Sequence, residues 1–214
     1  MRLFHWALVL LVVGSVVTGL LGGNLMVWHM RFGYAILALV LFRLLWGLAG
    51  SSTARFSDFL YGPRRVAGFA GALLKRREAH YLGHNPLGGW MVVVLLAALL
   101  FQASSGLFAN DDIAVEGPLY PFIGKDLSDR LTGLHKLNIK LIYGLVALHV
   151  AAVLFHWLAR GENLVRAMFS GDKQLPPGTP GAPARFAGGG RALALAILSG
   201  LAVWLLVTQP FSNP

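Results

Sequence analysis

The sequence contains no cysteine. That excludes disulfides, thiolate-held iron–sulfur clusters and thioether attachment of a haem through a CxxCH motif. Any tightly held metal or macrocycle must then rely on histidine, methionine or carboxylate. Charge is also scarce. Charged residues make up 13% of the 214, against about 25% in a soluble domain, and 56% are hydrophobic. No Lys, Arg, Asp or Glu lies between Arg2 and Arg31, nor from Ala79 to Asn110. Such a chain reads as an integral membrane protein. The first apolar run has no small-residue cleavage motif at its end and carries His5, so it reads as a spanning helix rather than a signal peptide.

A helix needs about 20 apolar residues to cross a bilayer. Five stretches qualify, near 3–21, 26–48, 87–108, 134–159 and 192–208. The expected organisation is a membrane domain over residues 1–171, a Gly/Pro-rich cytoplasmic linker over 172–190 and a C-terminal transmembrane helix within 191–214. The loop from Gly50 to His80 has six basic residues against two acidic, and that from Arg160 to Arg191 has five against two. The loop from Asn110 to Thr132 reverses this, with five acidic residues against two basic. The positive-inside rule then puts the N-terminus and both basic loops in the cytoplasm and the C-terminus in the periplasm. The net charge of +9 is explained by these loops facing anionic lipid, and nucleic acid is not an expected partner.

The fourth span holds His135 and His149, fourteen residues apart. Along a helix that is roughly 21 Å and about 40° short of whole turns, so both imidazoles share one face at two depths. Histidine in hydrocarbon is costly and marks a functional site by default. The expected topology puts His29, near the start of the second helix, at the depth of His135. It puts His5, near the start of the first, at the depth of His149. Two bis-histidine sites result: His29 with His135 for an outer metal, and His5 with His149 for an inner one. Haem b fits, because its iron takes one axial nitrogen from each side and its apolar macrocycle fills the gap between helices.

Other spacings agree. Gly19 is fourteen residues after His5 and offers a surface for the outer macrocycle to pass. Arg43 is fourteen after His29, at the depth of the inner site, where it is a candidate partner for a haem propionate. Arg31, Lys136 and Lys140 are candidates for the same role at the outer site, and all four cations are equally suited to snorkelling at the interface. His80 and His84 fall in the loop before the third helix. His156 lies beside Trp157 and reads as an interfacial anchor or a proton-handling residue.

These residues sit in segments that resemble the bacterial cytochrome b561 family, in particular its branch of b-type cytochrome subunits of nickel–iron hydrogenases. The matching pieces are RLFHW (Arg2–Trp6), WHMRFGY (Trp28–Tyr34), FRLLWG (Phe42–Gly47), GHNPLGG (Gly83–Gly89), LFANDD (Leu107–Asp112), LHK (Leu134–Lys136), LHV (Leu148–Val150) and NLVRAMFSG (Asn163–Gly171). The resemblance implies an all-α integral membrane protein, a transmembrane four-helix dihaem bundle plus a fifth C-terminal helix. It implies two haem b groups held by His5, His29, His135 and His149. It further implies an electron carrier in a respiratory chain, moving electrons between the quinone pool and a partner.

No domain here could activate a small substrate, so the expected role is an electron-transfer subunit rather than a stand-alone enzyme. The expected partner is a cytochrome c or a periplasmic metalloenzyme subunit, with the acidic loop (Asp111, Asp112, Glu116, Asp126, Asp129) as a docking surface. His84, Asn85 and His156 are candidate quinone contacts. The alternatives are a superoxide:quinone oxidoreductase of the same fold, a haem-bearing anchor or assembly subunit and, against the absence of Asp and Glu from the apolar spans, a proton-coupled transporter.

Overall fold

The computed structural model describes residues 1–75, 81, 83–171 and 185–208. His80, Arg76 and Arg77, most of the Gly/Pro-rich linker and residues 209–214 lie outside the described residues. Eight α-helices are present among those described: α1 (Arg2–Leu21), α2 (Met26–Ala49), α3 (Phe56–Phe59), α4 (Pro63–Leu74), α5 (Pro86–Gly106), α6 (Lys125–Arg160), α7 (Leu164–Ser170) and α8 (Gly189–Thr208). No β-strand occurs among the described residues. Helices α1, α2, α5, α6 and α8 are long and apolar enough to cross a membrane. At about 1.5 Å per residue, a 20-residue helix such as α1 spans roughly the 30 Å hydrocarbon core.

The largest departure from the sequence reading is α6. It begins at Lys125 rather than near Leu134 and runs for 36 residues, or about 54 Å. Its first turns are polar, so a search for apolar runs sees only the later part. Asp126 sits in the first turn, where a carboxylate favours the positive end of the helix dipole. The helix stops at Gly161, which is left-handed with φ 68°.

The spanning helices pack as two pairs, α1 on α2 and α5 on α6, with α2 also against α5. Lipid is as apolar as leucine, so close packing rather than water exclusion holds such helices together. A core of Ile36 and Val40 (α2), Leu96 and Leu99 (α5) and Ile142 (α6) joins the pairs. The fifth span, α8, packs on α2 and seats Val203 against Leu37 and Leu107. Helices α3 and α4 cap the end where α2 finishes and α5 begins. There Phe59 is fully buried and packs on Gly89, and Phe56 packs on Gly47.

Candidate functional site

The two helix pairs bring the four intramembrane histidines together two by two. The His29 and His135 ring centres stand 6.1 Å apart, and those of His5 and His149 stand 6.4 Å apart. In each case one ring comes from the α1–α2 pair and the other from the α5–α6 pair. A cavity of about 350 Å³ opens around His29 and His135, with Gly19, Gly33 and Gly106 in its wall.

The His29–His135 pair is locked by a repeated device. His29 Nδ1 lies 2.8 Å from the Ser15 carbonyl on α1, and His135 Nδ1 lies 2.9 Å from the Gln102 carbonyl on α5. A carbonyl accepts only, so each Nδ1 carries the proton and donates it. Each Nε2 is left with a free lone pair. A helix carbonyl points along the axis toward the residue four further on. An imidazole that shares the carbonyl must therefore lie over that residue. Those residues are Gly19 and Gly106. A Cβ at Gly19 would sit 2.7 Å from His29 Nδ1, and one at Gly106 would sit 3.0 Å from His135 Cε1. Gly19 thus admits the His29 imidazole itself as well as lining the cavity, a reason the spacing from His5 did not supply. Ser15, Gln102 and Gly106 were not singled out from sequence. The matching signal was there in the four-residue steps Ser15–Gly19 and Gln102–Gly106.

A second polar layer backs His135. Asn138 donates to the Ala98 carbonyl at 2.9 Å and to the Gln102 side-chain oxygen at 2.8 Å, which ties α6 to α5 one turn below the histidine.

The His5–His149 pair is supported differently. Both rings are half-buried, and among the described residues His5 Nδ1 is buried with no hydrogen-bond partner. Trp6 meets the His5 ring edge-on at 5.2 Å. Arg43 is 3% exposed and stacks over Phe56 and Phe59 at 5.1 and 5.7 Å. Its Nη1 is buried without a hydrogen-bond partner among the described residues. A buried guanidinium is stable only beside an acceptor or an anion. The remaining cations differ. Arg31 is exposed and stacks on Trp28 at 4.9 Å, Lys136 is exposed at the cavity wall, and Lys140 is exposed away from it.

The structure also places Asn85, His156 and His84. Asn85 caps α5, its side-chain oxygen accepting the Gly88 N–H at 2.7 Å. His156, near the end of α6, is buried, with Nδ1 3.3 Å from a Glu162 carboxylate oxygen. His84 packs on the Phe59 ring at 4.8 Å. The acidic loop is largely occupied with itself. Lys125 pairs with Asp112 and Asp129, and Asp129 also accepts from Asn110 at 2.9 Å. Asp111 accepts the N–H groups of Ile113, Ala114 and Val115 at 2.8–3.0 Å, and these bonds hold its carboxyl below the ordinary carboxylate range.

The histidine pairs fit an axially ligated macrocycle. With metal–imidazole bonds of about 2.0–2.1 Å and ~1.2 Å from nitrogen to ring centre, two rings that share one metal stand about 6.4–6.6 Å apart. The His5–His149 spacing of 6.4 Å meets the lower end of that range, and the His29–His135 spacing of 6.1 Å is within a few tenths of an ångström of it. Each pair offers only two donors, and no three of His, Asp and Glu converge among the described residues. The other coordination positions must come from the cofactor, as they do in a tetrapyrrole. The unsatisfied Arg43 suits its carboxylates.

Comparison with known proteins points the same way. No curated protein and no solved structure matches the chain. A family model described as prokaryotic cytochrome b561 matches residues 1–171, which include all four paired histidines, both glycines and Arg43. The chain therefore belongs to the prokaryotic cytochrome b561 family: it is a multi-pass inner-membrane cytochrome that binds haem b and transfers electrons.

Proposed function

We propose that the protein holds two haem b groups and carries electrons across the inner membrane between the quinone pool and a partner redox protein. The observation that carries this reading is the pair of facing imidazole couples, 6.1 and 6.4 Å between ring centres, separated by fourteen residues of α6. His29 and His135 are the axial ligands of the outer haem, and His5 and His149 those of the inner one. Each haem supplies a one-electron ferric/ferrous couple, and the protein tunes it through ligation, burial and nearby charge.

The chain's own residues divide the remaining work. The Ser15 and Gln102 carbonyls orient the outer imidazoles. Gly19 and Gly106 let those rings seat. Arg43 meets a propionate of the inner haem, and Lys136 at the cavity wall is placed for one of the outer haem. Loop charge sets the N-terminus in the cytoplasm and the C-terminus in the periplasm. The periplasmic end is where a cytochrome c or metalloenzyme subunit docks, and the quinone binds beside one haem.

The test is a reduced-minus-oxidised absorption spectrum of the purified protein with non-covalent haem counted per chain. Two low-spin b haems are expected. His149→Ala should remove one and His29→Ala the other. Loss of neither haem in both variants would sink the pairing. One feature favours a second reading, a superoxide:quinone oxidoreductase. The exposed Lys136 at the outer cavity is a cation suited to an anionic substrate. Stopped-flow reduction of the outer haem by superoxide, against reduction by quinol or a reduced partner, separates the two.

A further inference from the structure

The segment Asn163–Gly171 folds as α7 and takes no part in the ligand sets described above. It packs against the end of α6 and reaches the start of α1. The Arg2 guanidinium donates to the Phe169 carbonyl at 2.7 Å. The Trp6 indole N–H donates to the Met168 carbonyl at 3.3 Å, and the Trp6 ring stacks on Phe169 with centres 4.6 Å apart. The sequence of α7 is built for this. Asn163 caps its start by accepting the Arg166 N–H at 2.8 Å. It ends at Gly171 with φ +91°, a left-handed position that glycine adopts without strain. A Cβ there would also lie 2.7 Å from Arg2 Cζ, so the guanidinium occupies the space a side chain would take. A cation at this place complements the negative end of the helix.

His5 stands between Arg2 and Trp6. Unlike His29 and His135, His5 has no carbonyl hydrogen-bonded to its Nδ1 among the described residues. Helices α1 and α6, which carry the two inner ligands, are not among the principal packed pairs. What joins the start of one to the end of the other is α7.

We propose that α7 is a strap that positions His5 for the inner haem, with Arg2, Trp6 and Phe169 as its positioning residues. This rests on the reading of His5 and His149 as one axial pair. The strap acts through Trp6, whose edge abuts the His5 ring, and leaves the outer pair untouched.

The experiment uses the full-length protein in detergent and compares wild type, the Arg2→Ala/Phe169→Ala double variant, Phe169→Tyr and His149→Ala. Phe169 is two-thirds exposed, so its replacement leaves the bundle core intact. The readouts are haem per chain, the two low-spin electron paramagnetic resonance signals, and potentiometric titration that resolves the two haems. The double variant is expected to lose the inner low-spin signal in most molecules, as high-spin or absent haem. The outer haem should keep its occupancy and midpoint. Phe169→Tyr retains the stack and should keep both signals. Unchanged inner haem in the double variant overturns the strap, and so does a parallel loss of both haems with the melting temperature. A wild type without two haems, or an inner haem that survives His149→Ala, overturns the axial pairing itself and the strap with it.

Discussion

Gly19→Ala is the smallest change that tests how the outer site is built. The added methyl would lie 2.7 Å from His29 Nδ1, where ordinary van der Waals contact begins near 3.4 Å. The imidazole must retreat by about 0.7 Å, while metal–ligand distances tolerate roughly 0.2 Å. Either the bond to the Ser15 carbonyl or the axial bond must give. Loss of the first removes an outer-shell partner, which typically costs 10–100-fold in metal-centre affinity. The expected result is outer-haem binding weaker by about that factor, with the inner haem unaffected. Haem titration into apoprotein, followed at the Soret band with the inner site as internal reference, reads this directly. Gly144→Ala is the control, because a Cβ there meets nothing within 4 Å. Full outer-haem affinity in Gly19→Ala would refute the reasoning, as would equal weakening at both sites.

Three further outcomes follow from the same geometry. Arg43→Gln removes the buried cation at the inner haem and should lower that haem's midpoint on the order of 59 mV, a tenfold change in a one-electron equilibrium, in a redox titration; an unchanged midpoint would show that Arg43 serves only to hold Phe56 and Phe59. Asn138→Ala deletes two bonds to α5 and should destabilise the α5–α6 pair by about 1–3 kcal/mol, read as a lower melting temperature in detergent. Asp111 is held below its usual pKa by three backbone N–H bonds, so its contribution is present above the ordinary carboxylate range and lost as pH falls through the lowered value. Asp111→Ala should therefore speed amide exchange at Ile113, Ala114 and Val115 near neutrality and make no difference once wild-type Asp111 is protonated; a difference that persists in acid contradicts this.

The five spans were legible because a bilayer imposes length and apolarity together. The histidine partnership was legible because a fourteen-residue step nearly closes whole helical turns, so one face at two depths follows from arithmetic. What lay beyond reach was everything set by one helix against another. The polar start of α6 resembles loop until Lys125, Asp112 and Asp129 are seen as one cluster. Asn85 reads as a candidate quinone contact, and its place as the cap of α5 shows only in the fold. Gly19 reads as a surface for the macrocycle until the shared Ser15 carbonyl explains why the His29 ring must lie over it. The contact between Trp6 and Phe169 joins residues more than 160 positions apart, which no local periodicity encodes. These differences fall unevenly on the two sites. The outer imidazoles take their support from the helix packed beside each, at a fixed four-residue step, so that support is intrinsic to the bundle. His5 depends on a segment that returns from the far end of α6. Two sites with the same ligand set are therefore held by different physics, and a mutation that loosens one need not be felt at the other.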